Sequence, residues 1–244
     1  MQQSIKTRLR RYPLIFNSLR RIYRALFPAP ELQRQILKAL KEKDSVFFVQ
    51  VGSNDGLRDD PIQELISGNK KWRGIFIEPV RYLFDRLKHN YGNSNRFIFE
   101  NKAISSNKSA MCFFYVSDKA KSELGDSLPD WHDQLGSFDK NHILKHLGGI
   151  VEPYILSEKI EAVSLQDIFD KHKITEIDLL HIDTEGHDYK VLSTLDFSRY
   201  KPSVILYENN HLSDVERKLS ESLLTKNGYN SLPCGRDVLA IIKG

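Results

Sequence analysis

Short, continuously apolar runs that stop abruptly in polar residues constrain this chain more than any other feature. VFFVQV (46–51), GIFI (74–77), LLHI (179–182) and VILY (204–207) are brief and rich in β-branched, aliphatic and aromatic residues. They lack the alternation of half-exposed strands and are too short for buried helices, so they read as strands buried on both faces. Helical stretches separate them. PIQELISG places Pro61 in its first turn and Gly68 past its end, and VRYLFDRLKHNYG stops near Gly92. SLQDIFDKH opens on Ser164 as N-cap with Asp167 three residues on, HDYKVLSTL follows the third run, and SDVERKLSESLLTKNG runs from Ser213 to Gly228. NRFIFENKAIS and AMCFFYVS add two β-like runs, and YNSLPCGRDVLAIIK closes the chain as a hairpin with Gly235 in its turn. The alternation predicts an α/β fold: a mostly parallel sheet, covered by helices on both faces, with an antiparallel edge.

With 244 residues and 40% hydrophobic content, the chain is long enough to bury one sizeable core. Its net charge of +4 is unevenly placed: residues 1–24 hold Lys6, Arg8, Arg10, Arg11, Arg20, Arg21 and Arg24 and no acid, so the rest is mildly acidic. That balance argues against nucleic-acid binding by the main body and points the arm at an anionic partner. Apolar residues from Leu14 to Phe27 recur at helical spacing. A basic amphipathic helix in residues 1–28 can lie on an anionic membrane surface, or it can pack on its own domain. The arm lacks a signal-peptide cleavage pattern, and no apolar stretch reaches the ~18 residues of a membrane span. The expected location is cytoplasmic, peripheral at the inner membrane surface. Cys112 and Cys234 lie far apart, without metal-like spacing, and read as buried or semi-buried free thiols of a reducing compartment. The expected organisation is a basic helical arm over 1–45 and one domain over 46–244. Residues 118–149, polar and rich in Asp, His, Ser and Gly, form an insertion or lid.

In open parallel sheets, ligands bind beyond the C-terminal strand ends. The first strand ends there in GSNDG (52–56). Gly52 and Gly56 let the backbone turn sharply, and Asn54 tolerates a left-handed conformation. The second strand ends in Glu78, 22 residues after Gly56, near the spacing at which an acid accepts from ribose hydroxyls. Asn101 and the Ala103 backbone are placed to flank an adenine. The turn has neither the P-loop Lys and Ser/Thr nor G-x-G-x-x-G. Ribose recognition without a pyrophosphate clamp fits S-adenosylmethionine better than NAD or ATP.

VQVGSNDG, IEP, NKAIS, LGSFDKNHI, LLHIDTEGHDYKVL and VILYENN, in this order over 46–243, resemble the FkbM-type family of class I S-adenosylmethionine-dependent methyltransferases. The resemblance implies a Rossmann-like sheet of seven strands with a C-terminal antiparallel hairpin, S-adenosylmethionine as cofactor, and methyl transfer to oxygen, often on sugars. Gln50, where an acid often precedes the turn, and Asn54, in place of a middle glycine, depart from the wider class I pattern around the cofactor's amino group. The cofactor set expected is Gly52, Ser53, Asn54, Asp55, Gly56, Glu78, Asn101, Ala103, Ser137 and Asp183.

HIDTEG and YENN end two later strands expected to lie side by side. Asp183, Glu208 and Asn209 form an oxygen-rich set for Mg²⁺, similar to the Asp, Asp, Asn set of cation-dependent catechol-type O-methyltransferases. The same groups can instead cap helices or hydrogen-bond the ligands. His187 is the expected general base, with Glu185 and His211 as rivals. Trp131 of the insertion is a candidate to stack on a sugar. The expected activity is O-methylation of a sugar in a glycan, nucleotide-sugar or lipid-linked glycan. An NAD-dependent sugar oxidoreductase and a non-catalytic membrane-associated scaffold on the same fold are the alternatives. The first lacks its pyrophosphate turn, and the second is disfavoured by the presence of the turn and Glu78.

Overall fold

The computed structural model describes residues 31–92, 94–105 and 110–243; the proposed arm helix at 1–28 lies outside them. The chain divides into two compact units, 1–38 and 39–244. The described part of the first is the start of helix α1 (Glu31–Ala39), with Glu31 in its first turn and Lys38 in its last, the signs that complement the helix dipole. Among the described residues, no helix is long and apolar enough to cross a membrane.

The second unit is built on a seven-stranded sheet. Its strands are β1 (Val46–Val51), β2 (Trp72–Ile77), β3 (Phe97–Glu100), β7 (Leu179–Ile182), β8 (Val204–Glu208), β9 (Tyr229–Cys234) and β10 (Asp237–Ile242). The order is β3-β2-β1-β7-β8-β10-β9. The first five are parallel, and β10 runs antiparallel to both neighbours. The chain thus builds outward from β1 on one side and from β7 on the other. The strand order reverses between β1 and β7, where such sheets open a crevice.

Alternate residues of each strand face opposite layers. Val49, Val51, Ile75, Ile77, Leu180 and Ile182 belong to one buried apolar cluster. It also holds Leu165, Ile168 and Phe169 of helix α6 (Leu165–His172), Val191 and Leu192 of α7 (Asp188–Leu192), and Leu224 of α8 (Asp214–Lys226). Phe48, Phe76 and Phe97 pack ring against ring, with Phe76 5.0 Å from Phe48 and 5.3 Å from Phe97. Tyr91, from helix α3 (Arg81–Tyr91), joins them 4.5 Å from Phe76. Ser164 and Ser213 cap α6 and α8 through reciprocal capping boxes with Asp167 and Glu216, Glu216 being a partner the sequence pattern did not single out. Helix α2 (Gln63–Gly68) starts later than expected. Pro61 precedes it, the Asp60 carboxylate accepts from the Ile62 N–H at 2.9 Å, and Gly68 is its last residue rather than its stop.

AMCFFYVS does not join the main sheet. As β5 (Ala110–Val116) it pairs antiparallel with the long β6 (Ile155–Val163), which also pairs in parallel with β4 (Ala103–Ile104). The intervening segment folds into α4 (Ala120–Leu124), α5 (Lys140–Leu147) and short 3₁₀ turns around Val116, Ala120, Leu128, Leu135, Ile143 and Val151. Cys112, on β5, is exposed rather than buried.

Gly74 shows how tightly β1 and β2 are matched. A Cβ there would sit 2.3 Å from the Phe48 carbonyl oxygen and 2.6 Å from the Phe48 ring. Gly74→Ala is expected to destabilise the protein by about 1–3 kcal/mol, the usual cost of overpacking. An unchanged denaturation midpoint would show that Phe48 can move aside.

Candidate active site

At the β1/β7 reversal a cleft of about 940 Å³, mouth included, opens beyond the strand ends. Its floor is backbone. Asp183 N–H donates to the Val51 carbonyl at 2.9 Å, while Gly52 and Ser53 N–H both donate to the Ile77 carbonyl at 3.0 and 3.1 Å. Gly52 has φ +77°, and a Cβ on it would lie 1.7 Å from the Asp183 carbonyl oxygen, so no other residue fits without parting β1 from β7. Asn54 adopts the left-handed conformation expected of it, φ 51°.

Glu78 ends β2 on the cleft wall. Its carboxylate accepts from Asn54 N–H at 2.7 Å and from Val80 N–H at 2.8 Å, which locks the turn to the neighbouring strand. A carboxylate offers about four acceptor sites, so two such bonds leave capacity for a diol. Burial pushes its pKa up to about 7 against those two N–H bonds. Ala103 and Ile104 line the same side with Val80, Leu83 and Phe113, an apolar slot for a flat ring. On the opposite side Gln50 Nε2 and His181 Nδ1 lie 3.0 Å apart, both buried; burial drives His181 down to about 3, so the imidazole is neutral. Gln50 Oε1 and Asp60 Oδ2 are buried without a hydrogen-bond partner, and burial raises Asp60 to about 6. Two orphaned acceptors on the wall of an open cleft suit a cationic group such as an ammonium. That is the fit the residues offer the amino-acid end of S-adenosylmethionine. Asp60 was not legible as a site residue; only the fold brings it beside Gln50.

Other expected cofactor residues build the cleft without lining it. The Asp55 carboxylate accepts from the N–H groups of Leu57 and Arg58 and from Arg58 Nε at 2.7 Å. Gly56 makes room for α3, since a Cβ there would be 2.5 Å from the Tyr91 ring. Asn101 donates to the Glu78 and Pro79 carbonyls, both at 2.8 Å, holding the tip of β2. Ser137 is buried between Gly136 and Phe138, which do line the cleft. Extended backbone turns it to the other side, where its hydroxyl accepts from Asp139 N–H at 3.2 Å. Trp131 is 38% exposed and also off the lining. The insertion is tied down instead by Arg58, a cleft residue the sequence did not mark, which reaches Asp133 at 2.8 Å beside Arg86 at 3.0 Å.

Asp183, Glu185 and His187 line the cleft beyond the Gly52 turn. Asp188, fully buried, folds their loop by accepting from Thr184 Oγ1 at 3.1 Å and Gly186 N–H at 3.3 Å; Glu185 sits at φ 52°. Burial and the neighbouring charges of Glu185 and Glu208 hold Asp183 well above the ordinary carboxylate range. His187 stacks at a tilt 4.8 Å from Phe138, and burial lowers it to about 4. His211, expected as a rival base, stands off the cleft wall behind Glu185, 3.4 Å from its Oε2. Of the Asp183, Glu208 and Asn209 set expected for Mg²⁺, Glu208 Oε2 and Asn209 Oδ1 are buried without a hydrogen-bond partner, and the Glu208 charge acts on Asp183. Asp183 faces the cleft, whereas Glu208 Oε1 faces His211 Nε2 at 3.6 Å. The acids that close on one point there are Glu185 and Glu208, with His211.

The Methyltransferase FkbM domain matches residues 50–230, well over half of the chain, which therefore belongs to that family. No curated protein matches the sequence. Solved structures that it resembles include precorrin-6y C5,15-methyltransferase from Geobacter metallireducens, 11% identical with a TM-score of 0.41 over 86% of each chain. Another is the fibrillarin pre-rRNA processing protein of Methanococcus jannaschii, 10% identical with a TM-score of 0.41 over 83% of this chain and 68% of that one. A third is an S-adenosylmethionine-dependent O-methyltransferase from Thermotoga maritima, 8% identical with a TM-score of 0.42 over 88% and 66%.

Glu78→Gln is expected to weaken S-adenosylhomocysteine binding about 10- to 100-fold, the worth of one or two hydrogen bonds to a charged group, read by calorimetry. Because Glu78 holds its proton to about pH 7 when folded and only to about 4.5 otherwise, ligand-free stability should fall as pH rises across that window. The Gln variant should lose that part of the slope in thermal melts. Equal slopes would show that Glu78 is not a source of it.

Proposed function

We propose that this FkbM-domain methyltransferase moves the methyl group of S-adenosylmethionine to a sugar hydroxyl, in a glycan, nucleotide-sugar or lipid-linked glycan. The observation that carries the reading is the far end of the cleft. Past Gly52 the lining holds Asp183, Thr184, Glu185, His187 and Arg236, with the Phe138 ring against His187. A polar rim around an aromatic face suits a polyol, whose hydroxyls hydrogen-bond while its C–H face packs on the ring.

The bound cofactor supplies an activated methyl on a good leaving group. The chain has to align the acceptor with it and take the hydroxyl proton. His187 is neutral at pH 7, but with a pKa of about 4 it is a weak base. A base works best with its pKa near the working pH. Asp183, whose proton affinity is raised by burial and by its acidic neighbours, holds a proton more firmly than an ordinary carboxylate and adjoins the Gly52 turn. We therefore assign the base to Asp183 and acceptor positioning to Glu185 and His187. The cationic segment over residues 1–24 supports contact with anionic lipid at an inner membrane surface, where lipid-linked acceptors reside.

Asp183→Asn is expected to cut kcat by roughly 10²- to 10⁴-fold while S-adenosylhomocysteine still binds, and to abolish the rise of rate with pH that ionisation of Asp183 confers. His187→Ala should raise KM more than it lowers kcat. The reverse ranking would return the base to His187. Acceptors are to be screened by mass spectrometry for gain of one labelled methyl; labelling on carbon or nitrogen alone would overturn the hydroxyl reading. Liposome sedimentation with and without residues 1–28 tests the arm, and equal binding of both forms to anionic vesicles would remove its role.

A further inference from the structure

Helix α5 of the insertion carries His142 and His146, four residues apart and so on one helix face. Against that face stands His211, from the loop that follows β8. The three rings form a nearly equilateral triangle: centroids lie 4.7 Å apart for His142–His146 and 4.9 Å for each of the pairs with His211. Two carboxylates close the group. Glu185 Oε2 is 3.1 Å from His142 Nε2 and 3.4 Å from His211 Nε2, and Glu208 Oε1 is 3.6 Å from His211 Nε2. His142, His146 and His211 on one side, and Glu185, Glu208 and His211 on the other, are two sets of donors within 4.8 Å of one another that share His211.

Hydrogen bonding among these five residues leaves the group incomplete. Glu208 is 3% exposed, and its Oε2 has no hydrogen-bond partner. A buried carboxylate oxygen in that position is costly unless a cation or a donor meets it. The 3.1 and 3.4 Å from Glu185 Oε2 to the His142 and His211 nitrogens straddle about 3.3 Å, the edge of a tetrahedron with bonds of ~2.0–2.1 Å around zinc. Three imidazoles make the site a poor one for Mg²⁺ or Ca²⁺, which take oxygen ligands. They suit a first-row transition ion, and two histidines at i and i+4 on a helix present their nitrogens to a common point.

We propose that His142, His146, His211 and Glu185, backed by Glu208, bind one divalent transition ion of the zinc type. Four of these ligands join the insertion to the tips of β7 and β8, so the ion clamps α5 against the open end of the sheet. Glu185 is the one member that also lines the cleft, so the ion orients it there. That last consequence rests on the methyl-transfer reading; the metal site itself does not. His146 is exposed, which leaves the site accessible from solvent.

The test uses untagged full-length protein stripped with a chelator and titrated with Co²⁺ as a spectroscopic probe. One Co²⁺ per chain is expected, with the intense visible absorption of a four-coordinate ion, and Zn²⁺ should displace it. Removal of an outer partner of a metal ligand already costs about 10- to 100-fold in affinity. His142→Ala/His146→Ala should therefore lose at least ~100-fold. His146→Ala alone, at an exposed position, serves as the variant least able to disturb folding, and thermal melts check each protein. Binding of S-adenosylhomocysteine is measured in parallel and should persist in stripped and variant protein. Weak or multiple Co²⁺ sites, or unchanged affinity in the double variant, would overturn the metal site. Failure of the wild-type protein to bind S-adenosylhomocysteine while Co²⁺ binds as expected would instead sink the methyltransferase reading.

Discussion

A single close backbone approach governs the cleft. Gly52 lies so near the Asp183 carbonyl that a Cβ would stand 1.7 Å from it. With that contact in place, the ends of β1 and β7 stay in register, and the polypeptide leaves β1 in the left-handed turn through Asn54. Asn54 then offers its N–H to Glu78, which ties the turn to β2. Open the contact and the cleft floor, Glu78 and the Asp183 loop all lose their reference point.

The cleft collects buried acids in numbers a folded protein ordinarily avoids. Glu78, Asp60, Asp183 and Asp188 are each held above their ordinary pKa by burial, and Glu208 behind the wall is driven up to about 8. Burial of charge works against stability, and such groups cluster where a ligand offsets the penalty. On the Gln50–Asp60 side two buried acceptor oxygens lack a partner. On the Glu185–Glu208 side three histidines crowd the same acids, which is the arrangement a metal ion relieves.

The insertion is not a loose lid in its described part. It has its own small apolar cluster, and Asp133 is clamped by Arg58 and Arg86. Its helix α5 supplies two of the three histidines, and its Gly136 and Phe138 line the cleft. Two of its polar residues meet core charges of opposite kinds, Asp133 the guanidinium groups and His142 the Glu185 carboxylate.

Strand periodicity, capping residues and glycine turns are local properties, and local physics made them legible: the buried strand VFFVQV, the Ser164 cap, the left-handed Asn54 and the acid at Glu78 follow from residue types in short windows. The direction in which a side chain points at a strand tip is not local. Asp55, Gly56, Asn101 and Ser137 carry the right chemistry at the right place along the chain, yet packing against α3, β2 and β5 turns them into supports. The converse holds for Asp60, Arg58, His142 and His146, which nothing in the linear order sets beside Gln50, Asp133 or His211. The sequence by itself determined a parallel α/β sheet with a glycine turn facing an acid. Which acids and histidines share a space was decided only by the tertiary structure, because long-range packing sets distances that residue order does not encode.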